Sequence, residues 1–189
     1  IAVAFFTYIF IIWTIYVSFT DWNSPVINYS FAGLKNWRRL FGDYRFHTNL
    51  LNLVIFSVGY MTQCIVGGFV IAALLDQKIK AEWFFRTIVL LPFAVSEVTT
   101  GVAWRWLMKS KAGINDLFAY MGFENFHPLW YSDPDYGMWA LTIAASWQFT
   151  GYVMALYLAG MRAIPQELRE AAFIDGAGTL ALYKNLYIP

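Results

Sequence analysis

Glu170, Ala171 and Ala172 lie in the run Ala163–Pro189, where Leu168, Ala171 and Ala172 recur at helical spacing beside Glu167, Arg169, Glu170 and Asp175. A face of small residues ringed by charge can enter another protein's groove closely. Pro165 suits the first position of this helix, and Gly176 and Gly178 can stop it after about three turns. A lipid-surface helix is the ordinary alternative, but lipid binders present Lys and Arg on one face and large apolar residues on the other, whereas alanines and acids dominate here. A second group, Ser146, Trp147, Gln148, Thr150, Gly151 and Tyr152, forms a polar and aromatic cluster inside an apolar stretch. Gln148 and Tyr152 are four residues apart and so share a helix face, where an amide and a phenol can hydrogen-bond hydroxyl groups while the ring stacks. The third candidate is Glu97, a lone acid in another apolar stretch; a carboxylate at mid-bilayer costs about 2.5–3.5 kcal/mol, so it must face a partner or a wet cavity. Interhelical bonding is a rival role for Gln, Thr and Glu alike. Pro92 stands five residues before Glu97, so the acid can also serve backbone donors freed near a kink.

Other chemistry is missing. None of the 13 glycines is followed by Lys, so there is no phosphate-cradling P-loop and no cofactor is expected in this chain. His47 and His127 lack metal-ligand spacing, and Cys64 is alone, so neither a metal site nor a disulfide framework is expected. Without a histidine near the Ser and Thr residues of the apolar runs, nucleophilic catalysis has no support. Thirteen Lys and Arg against twelve Asp and Glu leave a net charge of +1, too little to hold a nucleic-acid backbone.

The elements that carry these residues are set by hydropathy. The chain is 59% apolar and 13% charged, against about 45–50% and 25% in ordinary soluble domains. Four charge-poor runs, about 1–20, 50–75, 87–106 and 137–161, are each long enough to cross a bilayer as a helix. The absence of repeated ten-residue alternation argues for helices over a barrel, and the reading is an all-α, polytopic transmembrane helix bundle, one domain over 1–189. Seven of the nine tryptophans stand at or just outside run ends, as interface anchors do. Lys78, Lys80, Arg86, Arg162, Arg169 and Lys184 occupy the shorter connections, which favours their side as cytoplasmic and sets the loops Asp21–Arg45 and Lys109–Asp135 opposite. Within the second loop, Ile114, Leu117, Phe118 and Met121 give a short helical pattern. The chain opens at Ile1 inside an apolar run and stops at Pro189, and is read as a fragment lacking both ends.

The helix after the fourth run resembles the cytoplasmic EAA loop of permease subunits in ABC importers, whose pattern is EAA and, after three more residues, Gly. Glu170, Ala171, Ala172 and Gly176 match, with Asp175 and Ala177 completing the form IDGA. The stretches beginning at Val17 (VSFTDWN), Phe31 (FAGLKNWRRLFGD), Leu90 (LLP), Ala112 (AGIND), Trp130 (WYSDP) and Leu156 (LYLAGMRAIPQELREAA) are similar to maltose-type sugar permeases. Tyr183 departs from the usual Phe, and Leu186-Tyr187-Ile188-Pro189 replaces the usual ITLP, both keeping apolar character. The resemblance implies a transport subunit of the inner membrane, not an enzyme. It implies an EAA loop over 162–189 whose Glu170, Ala171, Ala172, Asp175 and Gly176 couple to separate ATPase subunits that hold ATP and Mg. It further implies a second permease, an extracytoplasmic solute-binding protein facing the two outer loops, and at least two spans beyond Pro189. Alternating access would move a sugar or oligosaccharide along a path including Glu97, Ser146, Gln148 and Tyr152. The EAA loop reports the ATPase and not the cargo, so importers of a glycerol phosphoester or polyol stay open. An ion-coupled secondary transporter would also use an acid inside a span, and a purely structural membrane subunit is the remaining alternative.

Overall fold

The computed structural model describes residues 2–77, 79–110, 113–123 and 125–187. Among residues used above, Ile1, Lys78, Ala112, Ile188 and Pro189 lie outside the described residues. The chain divides into two units, Ile1–Leu53 and Val54–Pro189.

The first unit contains α1 (Ala2–Ser18), α2 (Lys35–Gly42) and the start of α3 (Tyr44–Asp76). In α1, Thr7 and Thr14 donate to the carbonyls one turn earlier, at 2.8 and 2.7 Å, so their hydroxyls need no water. The carbonyls that α1 leaves free at its end are met from a distance: Asn36 Nδ2 donates to Ser18 O at 3.0 Å and Thr20 O at 2.8 Å. An isolated bridge between Thr20 and Phe31 and a 3.0 Å ion pair between Lys35 and Asp21 complete this cap. The segment Asp21–Arg45, read from sequence as a loop, therefore holds a helix of its own, α2.

In the second unit, α3 packs on α7 (Pro134–Ala163), and Ala72 and Leu75 of the one meet Met154, Leu158 and Met161 of the other in a buried core. Asp133 caps α7 by accepting from the Asp135 amide at 2.9 Å, with Pro134 at the first helical position. The loop preceding α7 is ordered around α6 (Ile114–Tyr120), which the helical pattern anticipates. Asn115, 1% exposed, donates to the carbonyls of Ser110 and Pro128 and accepts from Trp130 Nε1 at 2.8 Å.

Of the four runs read as spans, three are single helices: Ala2–Ser18, Tyr44–Asp76 and Pro134–Ala163. The third is different. The run 87–106, expected as one straight segment, is α4 (Glu82–Leu90) with a 3-10 turn (Leu91–Ala94) and then α5 (Glu97–Leu107), bent by 104°. Pro92, which has no amide hydrogen to continue an α-helix, lies inside the 3-10 turn, and Ser96 starts α5 anew by accepting from Thr99 N at 3.3 Å. Among the described residues α3 alone is long and apolar enough to cross a membrane unbroken, and the bent pair becomes a second if it is one broken span. Beyond α7 come α8 (Gln166–Ile174), α9 (Thr179–Leu182) and a π-helical turn (Tyr183–Tyr187).

Candidate functional site

Two places collect the residues singled out by sequence. The first is α8. Pro165 precedes it by one residue with φ −53° and ψ 137°, so the helix begins one position later than the proline alone suggests. At its other end Gly176, with φ 82°, donates to Phe173 O at 3.1 Å while Ala177 donates to Ala172 O at 2.9 Å. This pair of bonds is a Schellman stop, and it requires the left-handed backbone that glycine takes without strain.

The small-residue face expected from spacing is divided. Leu168 and Ala171 point outward and are exposed, as are Glu167, Glu170 and Ile174, whereas Ala172 is half-buried on the side that carries Arg169. Glu170 Oε1 accepts from Gln166 Nε2 at 2.6 Å along the helix. Asp175 is the exposed residue that closes the helix before Gly176.

Arg169 turns inward and meets three other elements. Its Nη1 donates to Asp76 Oδ2 at 3.2 Å at the end of α3, its Nη2 donates to the Met161 carbonyl of α7, and its guanidinium lies 5.1 Å from the ring centre of Tyr187. The same Asp76 oxygen accepts from Tyr187 Oη at 3.3 Å, and Tyr183 Oη donates to Ala73 O at 3.0 Å. Burial, with the nearby Asp76 carboxylate, pushes the Tyr187 phenol up to about 12. Beside this cluster Arg162 pairs with Glu82 at 2.9 Å, tying the end of α7 to the start of α4 and holding the Glu82 carboxyl below the usual glutamate range. Asp76, Glu82, Arg162, Gln166, Arg169 and Phe173 line an opening of about 670 Å³. Sequence reasoning counted Arg169 and Arg162 only as charges. The available signal was Asp76, the first acid after a long neutral run, which needs a cation if its end of α3 is to be buried.

The second place is the bend. Gln148, 7% exposed, donates from Nε2 to Val95 O at 2.7 Å, so its amide meets a carbonyl released where the helix breaks. Gly151 lets α4 close on α7: a Cβ there would stand 2.0 Å from the Val89 oxygen. Tyr152 is half-exposed and stacks on Phe93 of the 3-10 turn, with ring centres 5.0 Å apart. Although Gln148 and Tyr152 share a side of α7 in sequence spacing, one is therefore buried in the packing and the other reaches its rim. Ser146 is buried, donating to Gln63 Oε1 at 2.8 Å. Glu97 is exposed in the first turn of α5, where the helix dipole favours a carboxylate. At the break Ser96 accepts from the Thr99 amide and Gln148 donates to the Val95 carbonyl, so these two backbone groups are met by residues other than Glu97, the one the sequence suggested. Gln63, Trp104, Ser146, Trp147 and Thr150 line a cavity of about 410 Å³ beside Pro92, with the two indoles edge to face at 5.8 Å. Amide, hydroxyl and indole groups around such a space can hold a hydroxyl-bearing molecule. Among the described residues no group of His, Cys, Asp and Glu is placed to hold a metal ion.

Residues 64–189 match the family described as "Binding-protein-dependent transport system inner membrane component". The whole chain is 40% identical to the probable ABC transporter permease protein PH1215 of Pyrococcus horikoshii, of which it covers 65%. It is 34% identical to the xylose/arabinose import permease protein XacH of Haloferax volcanii over 92% of this chain and 55% of that protein. The chain thus spans less than two thirds of the length of these relatives. Among solved structures, a bacterial ABC transporter involved in the import of the acidic polysaccharide alginate superposes with a TM-score of 0.76 over 100% of this chain and 65% of that one, at 18% identity. At that identity the likeness concerns the fold.

Proposed function

The chain belongs to the family of binding-protein-dependent transport system inner membrane components, and on that premise we propose that the protein is the permease subunit of an ATP-driven importer of a sugar or oligosaccharide. The observation that carries this reading is α8, a short helix stopped by Gly176 that presents Glu167, Glu170 and Ala171 outward while Arg169 holds its other side. An outward face of small and acidic residues beside the ends of α3 and α7 suits docking on a separate subunit. That subunit is an ATPase holding ATP and Mg, and Glu170, Ala171, Ala172, Asp175 and Gly176 form or shape the docking helix. A second permease and an extracytoplasmic solute-binding protein complete the assembly, and the substrate crosses by alternating access. For the cargo path, Ser146 and the two indoles border the cavity, Tyr152 and Glu97 are exposed for contact, and Gln148 shapes the path by fixing the bend.

The test is reconstitution of the full-length protein with its co-purifying subunits in liposomes, supplying binding protein outside and ATP inside. Uptake of labelled oligosaccharide or pentose with matching ATP hydrolysis is expected. Uptake of a glycerol phosphoester in place of sugar would reassign the cargo, and uptake driven by an ion gradient without an ATPase would overturn the reading. In the same system Tyr152→Ala and Glu97→Gln should reduce uptake or alter sugar preference with assembly intact, and unchanged uptake in both would remove the proposed path.

A further inference from the structure

α7 hands over to α8 through two residues, Ile164 and Pro165, in extended conformation. Such a joint transmits direction poorly unless something fixes the angle. Among the described residues, every side-chain hydrogen bond from α8 to another element is made by Arg169. Those bonds reach α3 through Asp76 and α7 through the Met161 carbonyl, and the guanidinium also lies against Tyr187. The Arg169 and Asp76 side chains are 21% and 7% exposed, so the pair is well shielded from water and neither charge is readily left behind. A planar guanidinium can serve a carboxylate, a carbonyl and a ring at once, which a lysine ammonium does less well.

From this geometry we propose that Arg169 is the positioning residue that makes α8 one mechanical piece with the ends of α3 and α7. A displacement of α8 then reaches the long helices through the Arg169–Asp76 pair and not through the two-residue joint alone. The proposal rests on the reading of α8 as the docking helix for its consequence in transport, but its structural half is testable without it.

The structural half is read by spin labels at Leu74 and Ile174, both exposed, in the full-length protein in nanodiscs. The wild-type distance distribution should be narrow, and Arg169→Gln should broaden it severalfold; an unchanged width would overturn the proposal. The transport half uses the reconstituted assembly. Arg169→Gln should keep ATPase bound and hydrolysing while solute moved per ATP falls about tenfold. Arg169→Lys should recover part of this, and so should the exchange Asp76→Arg with Arg169→Asp. If ATPase binding and transport fall in parallel and neither the lysine nor the exchange recovers any ratio, Arg169 is a staple of the fold and the proposal fails. A narrow wild-type distance in a protein that binds no ATPase would instead sink the docking reading while leaving the rigid joint in place.

Discussion

Gly176 donates to Phe173 O from a backbone with φ 82°, and a Cβ there would meet nothing within 4 Å, so the constraint is conformational and not one of space. Replacing it by Val should destabilise the stop by about 1–2 kcal/mol, while Asn, which tolerates the left-handed region, should lose much less. The check is ATPase co-purification with each variant, Val low and Asn near wild type. The division of the alanines gives a second contrast: Ala171→Trp should block docking and leave the free subunit's melting temperature unchanged, whereas the half-buried Ala172→Trp should lower that temperature as α8 is lifted from its own bundle. Glu82 offers a pH test. Its folded value is depressed by the bond from Arg162, so any stabilisation is present above the ordinary glutamate range and lost as pH falls through the depressed value. Because the carboxyl is only half-buried and its partner Arg162 is exposed, Glu82→Gln should shift the acid limb of a melting curve only slightly. At this scale Gly176 was legible, since a glycine after a helical pattern has one common use. The Arg169–Asp76 pair was not, because its members stand 93 residues apart and no local pattern joins them.

The bent pair shows what elements conceal. Apolar residues continue on both sides of the bend with Glu97 as the one acid between them, and a lipid-facing helix and a folded-back one draw on the same residues, so the run 87–106 reads as a single segment. Pro92 was the local warning, but the angle is fixed from α7 by Gln148 and Gly151, which lie about fifty residues later. Conversely the charge-poor runs 50–75 and 137–161 lie inside α3 and α7, because the lack of charge marks a helix interior, though α3 begins at Tyr44, and α2 was missed because eight residues leave little periodicity to read. Gln148→Leu should leave the Val95 carbonyl without its partner at about 1–3 kcal/mol. Gly151→Ala should be worse, since the added methyl would overlap the Val89 carbonyl with only backbone to give way. Thermal unfolding of the purified full-length variants in detergent should rank wild type above Gln148→Leu above Gly151→Ala, and equal melting temperatures would remove the bend's dependence on α7.

As a whole the chain exposes apolar side chains along α1 and the outer side of α3, such as Phe6, Ile12, Leu53, Val58 and Val66, a surface suited to lipid or to neighbouring helices and not to water. The proposed topology sets Ser24 and Ser132, both exposed, on the extracytoplasmic side. Cysteines at these positions should react with an impermeant reagent in intact cells, and labelling only in inverted vesicles would reverse the orientation. Glu97 and Tyr152, meanwhile, could be selected from sequence as unusual residues in apolar runs, yet the place of Glu97 at the start of a new helix and the stacking of Tyr152 on Phe93 of the 3-10 turn depend on the bend, which only the folded chain displays. The bend also has a history within each molecule. Val95 is synthesised 53 residues ahead of Gln148, so when the segment leaves the ribosome the amide that will hold its carbonyl does not yet exist. Pro92 and Ser96 weaken the helix at the bend from the start, but the Val95 carbonyl finds its amide partner only after α7 enters beside it, and only then is the break secured. A nascent chain arrested before residue 134 should accordingly hold Thr87 and Trp104 at opposite depths, and release of the rest should draw them together, so that maturation of this subunit includes the remodelling of a helix already delivered to the bilayer.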